Sequence, residues 1–263
     1  MNNLTAKREK PATRPPSLHY PGQSLDYEIE NIRLLRARNF IVVMILLTVA
    51  VYSWMPYLGI PPQPYVATAI LIGYAVYFIT EDSKLSQRLR NAQLGSDGEK
   101  QVGEVLDGLK RKGYAVFHDI VSITPDFNID HVVVSEHGIF AIETKNHTKP
   151  NPHDKVVYDG KNIVVGSLKP TSDPIVQVNR NAKWLTENLY KSTGKSFPVK
   201  PVVVYPYWMV DNLVKDNSRG TWVLNPKQLS GYIERAPMSL SQEEVQQVSY
   251  YLTFLIRVNE TKK

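Results

Sequence analysis

The 263-residue chain contains no cysteine and carries a formal net charge of +6. Without cysteine there are no disulfides, thiolate metal sites or cysteine nucleophiles, a composition that fits a reducing compartment. The charge is spread out: residues 1–38 contribute +3 and the remainder another +3, so the chain has no strongly basic module and any nucleic-acid contact must rest on local groups.

Residues 1–38 hold Pro11, Pro15, Pro16 and Pro21 among polar and charged residues, a composition that cannot build a core and predicts a disordered or amphipathic cytoplasmic tail. Within it, Leu25, Ile29, Ile32 and Leu35 allow an amphipathic helix from about Gln23 to Arg38. Between Arg38 and Glu81 there is no Asp, Glu, Lys, Arg or His. Two apolar segments, Phe40 to about Leu58 and Tyr65 to about Thr80, flank a Pro/Gly-rich turn in this gap. Each approaches the ~20 residues that cross a ~30 Å hydrocarbon core, which predicts a transmembrane helical hairpin over 39–80. Arg33, Arg36 and Arg38 before it, and Lys84, Arg88 and Arg90 after it, place both termini in the cytoplasm by the positive-inside rule. Tyr52, Trp54, Tyr57 and Tyr65 gather at the far turn, as interfacial aromatics do.

A linker over 81–92 is expected next, then a helix from about Gly95 to Lys112 with Val102, Val105, Leu106 and Leu109 at helical spacing and Glu99 in an early turn. Strands follow near Tyr114–Ser122, Asn128–Ser135 and Gly138–Asn146. Lys155–Tyr158 and Asn162–Val165 then flank Asp159-Gly160, a type I′ hairpin signal. Beyond them come a helix near Pro174–Tyr190, strands at Val199–Tyr205 and Thr221–Leu224, a short helix at Pro226–Arg235, and a last helix opened by the capping box Ser241-x-x-Glu244.

Asp130, Glu143 and Lys145 stand out. Strand side chains alternate, so Glu143 and Lys145 share one face. A hairpin turning at Glu136-His137 puts Asp130 opposite Glu143; one turning at His137-Gly138 puts it opposite Lys145. Two carboxylates and an ammonium at the end of a Val/Ile-rich hairpin run against burial preferences. They suit Mg²⁺ or Mn²⁺, with the lysine acting on water or on charge at phosphorus. The plainer reading is a solvated salt bridge. On the following helix Gln177 and Asn181, four apart, share a face.

Four ordered blocks, Gly95-x-x-Gly98-Glu99, Ile129-Asp130-His131-Val132-Val133, Gly138-Ile139-Phe140-x-Ile142-Glu143-Thr144-Lys145-Asn146 and Pro174-Ile175-x-Gln177, carry a family likeness. Residues 90 to 210 resemble the nuclease-related domain (NERD) family of the PD-(D/E)XK restriction-endonuclease-like superfamily. The resemblance implies an α/β fold, a restriction-endonuclease-like mixed sheet flanked by helices, here preceded by the transmembrane hairpin. It implies that Asp130 and Glu143 bind Mg²⁺ or Mn²⁺ with Glu99 contributing, that Lys145 acts on the nucleophilic water, and that Gln177 is an accessory group. Ile129-Asp130 stands where the superfamily has Pro-Asp.

The nuclease-like domain is placed at 93–210, with a C-terminal strand and helices over 211–263 packed on it. The expected function is a membrane-anchored, cytoplasm-facing nuclease acting on DNA. A reading from another class is a catalytically silent anchored module that binds nucleic acid or protein. Lys145, Lys149, Lys155, Arg180, Lys183, Lys191 and Lys195 flank the site as candidate phosphate contacts. Gly194-Lys195-Ser196 lacks the glycine five residues earlier that a phosphate loop requires. His131, His137, His147 and His153 match no zinc spacing, and His131 is a candidate supporting residue beside Asp130. Asp119 is read as a surface residue at a strand end.

Overall fold

The computed structural model describes residues 20–54, 64–121, 128–214 and 220–260. The expected tail thus lies outside the described residues up to Leu18-His19, as does the turn at 55–63 with Tyr57. Helix α1 spans Gln23–Ser53 and α2 spans Pro64–Arg111. The amphipathic segment and the first apolar segment are one helix, because no Pro or Gly interrupts them. The second apolar segment likewise runs on, without a break, through residues 81–92 into the helix bearing Glu99. The stretch 81–92 contains no Pro or Gly and includes the good helix formers Glu81, Lys84, Leu85, Gln87, Arg88, Leu89, Arg90 and Ala92, so it forms helix where a linker was expected.

The two helices are joined by Arg36–Asp82 at 2.8 Å, Arg88–Glu28 at 3.2 Å and Lys100–Asp26 at 2.9 Å. The Trp54 and Tyr65 rings meet edge-on at 6.2 Å. Among the described residues one helix, α1, is long and apolar enough to cross a membrane. Large apolar side chains face outward on both helices, among them Phe40, Ile41 and Ile45 on α1 and Ile70, Ile72 and Ile79 on α2.

Beyond α2 the fold is a mixed α/β arrangement. Five strands, β1 (Ala115–Val121), β2 (Asn128–Ser135), β3 (Gly138–Thr144), β6 (Val199–Val204) and β8 (Trp222–Leu224), form a sheet in the order β1-β2-β3-β6-β8. The first three are antiparallel, and β6 and β8 run parallel to β3. Strand alternation divides the core. Val132, Val134, Ile139 and Ala141 pack against α3 (Asp173–Thr193) and α5 (Gln242–Glu260). Val133, Phe140 and Ile142 pack with Val102, Leu106 and Leu109 of α2 and with α4 (Pro226–Glu234). Each such Val, Leu, Ile or Phe side chain, fully buried, contributes roughly 1.5–3 kcal/mol, so the two layers hold the central strands beneath the site.

A smaller sheet, β5 (Ile163–Val165), β4 (Lys155–Tyr158) and β7 (Met209–Asn212), packs through Val156, Tyr158, Trp208 and Val210 onto Val203 and Tyr205. Its hairpin pairs Tyr158 with Ile163, leaving the four residues 159–162 in the turn, where a two-residue type I′ loop was the expectation. Asp159 Oδ1 accepts the N–H groups of Lys161 and Asn162, an Asx-type closure that replaces the tighter turn. The capping box of α5 forms as expected, Glu244 N donating to Ser241 Oγ at 3.2 Å and Ser241 N to Glu244 Oε2 at 2.9 Å.

Candidate active site

The β2–β3 hairpin pairs Ser135 with Gly138 and His131 with Ile142, so the loop is Glu136-His137 and one further step places Asp130 opposite Glu143. On the other side, the register between His118↔His131 and Ile120↔Ile129 sets Asp119 opposite Asp130. Three carboxylates therefore stand in a row across β1, β2 and β3. Glu99 approaches the row from α2.

Glu143 is held tightly. Its Oε1 accepts Lys145 Nζ at 2.8 Å and Gln177 Nε2 at 2.6 Å, while Oε2 accepts Asn181 Nδ2 at 3.1 Å. Lys145 Nζ also donates to Gln177 Oε1 at 2.8 Å, closing a three-residue ring. The expected salt bridge forms, at 2.8 Å, but it is not a solvated one: Glu143 is only 3 % exposed, and its partner lysine 27 %. Asp130 is fixed by the Thr144 N–H, at 2.6 Å from Oδ2. Lys145 keeps its place because its own N–H donates to Val204 O at 2.9 Å, extending the β3–β6 pairing. Gly98 permits the approach of the following residue, since a Cβ there would lie 2.8 Å from Asn146 Cβ. Asn146 Nδ2 in turn donates to Leu94 O at 2.8 Å.

Crowded carboxylates shift one another. Burial lifts the Asp130 carboxyl well above its ordinary range, and Glu143 and Glu99 add to the rise. Burial, then the Asp119 charge, pushes Glu99 up to about 8, against the hydrogen bond from the Gly22 backbone. Burial raises Glu143 too, opposed by Lys145, Arg180 and Asn181. Glu99 Oε2 is buried without a hydrogen-bond partner.

Of the residues singled out from sequence, Glu143, Lys145 and Gln177 meet directly, and Asp130 and Glu99 lie within their electrostatic reach. His131 does not support Asp130. Strand alternation turns it to the other face, where its Nδ1 lies 2.9 Å from His118 Nδ1. Asp119 is not a surface residue: it is 2 % exposed, has φ +50°, and accepts Ser24 N at 2.8 Å and Asn128 Nδ2 at 2.6 Å. Asn181 was noticed only as the residue four on from Gln177, and that spacing is what carries it to Glu143. Among the basic candidates, Lys155, Lys183 and Lys195 pair with Asp211, Glu187 and Glu244, and Lys149 lies over the Trp208 ring. Gly194, with φ +73°, is the C-cap of α3 and not part of a phosphate loop.

Among the described residues no three His, Cys, Asp or Glu side chains are grouped so as to hold a metal ion. The donor chemistry is still that of a hard cation, since Mg²⁺ needs only one or two protein carboxylates and completes its shell with water and phosphate. Asp130 and Glu143 could supply that pair, and the unpartnered Oε2 of Glu99 is a buried acceptor on a residue within electrostatic reach of Asp130.

Comparison with known proteins agrees with this chemistry. The sequence pattern of the nuclease-related domain matches residues 94–206, which include Glu99, Asp130, Glu143, Lys145 and Gln177. An uncharacterised protein of Bacillus anthracis is 41 % identical over 56 residues, covering 20 % of this chain and 26 % of its own length. The similarity to that relative thus spans about a quarter of it. No solved structure matches the chain. Residues 94–206 are thus similar to a nuclease-related domain.

Proposed function

We propose that the chain is a membrane-anchored, metal-dependent nuclease that faces the cytoplasm and hydrolyses DNA phosphodiester bonds, with its five-stranded sheet arranged in the restriction-endonuclease manner. The observation that carries this reading is the Asp130–Glu143 pair with Lys145 and Gln177 locked to Glu143 at the end of β3. Asp130 and Glu143 would hold Mg²⁺ or Mn²⁺, with Glu99 contributing. The bound ion supplies Lewis acidity and a more acidic water. Thr144 N–H keeps Asp130 aimed, and Gln177 and Asn181 keep Glu143 from rotating away. Lys145, more exposed than Glu143, orients the attacking water and neutralises charge that develops on the phosphoryl oxygens. Water oxygen bonds to phosphorus as the bond to the leaving sugar oxygen breaks, and that oxygen takes up a proton.

The membrane reading rests on the apolar α1 and on outward-facing apolar side chains along both α1 and the start of α2. Both are helices in a segment free of charge from residue 39 to 80, so a two-helix hairpin with both ends in the cytoplasm is the arrangement favoured. The lack of native cysteine makes single-cysteine accessibility in intact cells a direct test. Cysteine at Lys161 should resist an impermeant reagent and cysteine at Gln63 should react; the reverse pattern overturns the orientation.

The activity test uses the full chain in lipid nanodiscs with single-stranded, linear and supercoiled DNA. Cutting with Mg²⁺ or Mn²⁺ that is lost in EDTA and in Glu143→Ala supports the nuclease. A folded protein that binds metal and never cuts is instead the anchored binding module.

A further inference from the structure

Helix α1 begins without a cap of its own. Its N-cap residue is Gly22, with φ +76° and no side-chain hydrogen bond to the first turn. A helix of 31 residues leaves several N–H groups unsatisfied at that end. Gln23 N donates to Tyr20 O at 3.2 Å, and two neighbouring N–H groups go to the acidic row. The Gly22 backbone hydrogen-bonds Glu99, and Ser24 N donates to Asp119 Oδ2 at 2.8 Å. Asn128 Nδ2 bridges the two elements, reaching Asp119 Oδ1 at 2.6 Å and Ser24 Oγ at 3.3 Å.

The seat is shaped for this segment. A Cβ on Gly103 of α2 would overlap the Pro21 ring, so the missing side chain makes room for Pro21. One turn along, Asp26 accepts Ser96 Oγ at 2.8 Å and Lys100 Nζ at 2.9 Å. These contacts join residues 20–26 to a domain whose matched pattern starts only at residue 94.

We infer that the first turn of α1 is a working part of the nuclease site: Gly22 and Ser24, with Asp119 as the intermediary, are positioning residues that fix Glu99 so that its free Oε2 is turned toward the Asp130–Glu143 pair. Glu99 is held by one hydrogen bond from Gly22 while Oε2 has no partner and only 6 % of the residue is exposed. A carboxylate fixed at one oxygen and open at the other is what an oriented ligand needs. If the contact served only to cap α1, its loss would shorten the helix and leave ion binding alone. The inference rests on the metal-dependent reading above. It makes the membrane helix and the nuclease one cooperative unit, so the catalytic competence of the domain depends on a segment outside its own sequence pattern.

The experiment separates the two ideas. In the full chain, Ser24→Pro removes the N–H while keeping a residue that the first turn of a helix accepts. Gly103→Val, on a different element, crowds Pro21 out. Mn²⁺ affinity is read by calorimetry, docking by hydrogen exchange of residues 20–26, and turnover on supercoiled DNA as kcat and KM. Faster exchange with about tenfold weaker Mn²⁺ binding and a matching fall in kcat in Ser24→Pro and Gly103→Val, with KM unchanged, is the expected result. Faster exchange with wild-type Mn²⁺ affinity and kcat overturns the positioning role and leaves the nuclease standing. A rise in kcat overturns it as well, since the segment would then be a cover. Wild-type protein with a protected 20–26 segment that neither binds Mn²⁺ nor cuts removes the nuclease reading itself.

Discussion

Asp130 and His131 are neighbours in β2, yet they join buried polar clusters of opposite character on the two faces of one sheet. Asp130 belongs to a set of carboxylates that raise one another's proton affinity, with a lysine drawn in at the edge. His131 meets His118 ring to ring, 5.1 Å between centroids, and burial lowers the proton affinity of both. The first cluster is short of positive charge, and the second keeps charge away. A group of like charges that fold together at a cost invites a cation, whereas a neutral pair that shares a hydrogen bond is a packing solution.

The sharpest way to break this contrast is to remove Lys145. In the nuclease reading Lys145→Ala lowers kcat by about 10²–10³-fold, the scale of losing one preorganised electrostatic contact, with the fold intact by circular dichroism. Wild-type turnover would place the chemistry elsewhere.

Next is the cost of the carboxylates themselves. Glu99 titrates near 8 in the folded chain and near 4.5 when unfolded, so between those values the unfolded state gives up a proton that the folded state retains, and stability falls as pH rises. In metal-free buffer at pH 7, Glu99→Gln should therefore raise unfolding free energy by up to about 3 kcal/mol, an advantage that disappears below pH 4. Denaturant titrations at pH 4 and pH 7 measure it; equal effects at both would mean Glu99 is not electrostatically strained.

The histidine face predicts the opposite slope. His118 is held at about 4, below the 6.5 of an unfolded chain, so stability is lost as pH falls from 6.5 toward 4 because the unfolded state binds the proton first. The loss amounts to about 2–3 kcal/mol at pH 4, and His118→Phe should flatten it in the same titrations. At the small end, Lys155→Ala breaks a half-exposed pair with Asp211 and should shift stability by no more than about 0.5 kcal/mol.

Local chemistry made the centre of the site legible. Glu136-His137 followed by Gly138 offered two hairpin registers, and either one collected Asp130, Glu143 and Lys145. The four-residue step from Gln177 to Asn181 gave the helix face that covers Glu143. The harder features are non-local or conformational. Nothing in the residue type of Asp119 announces φ +50°, the left-handed backbone that turns its carboxylate inward. The change from apolar to charged composition near Glu81 reads as a boundary, while the backbone, free of Pro and Gly there, continues as helix. The bond from Ser24 to Asp119 spans 95 residues, beyond any periodicity argument.

The continuity of α2 sets a distance. From Glu81, where the apolar stretch ends, to Glu99 the helix rises by about 27 Å at 1.5 Å per residue. For a chain anchored through 39–80 this stretch is a strut, doubled by α1 through Arg36–Asp82 and Glu28–Arg88. A flexible tether would let the domain sweep a volume; a strut fixes its stand-off. On the proposed nuclease reading the domain would then meet only DNA that passes within a narrow layer above the bilayer, and inserting or deleting one helical turn between residues 85 and 92 would move that layer by about 5 Å.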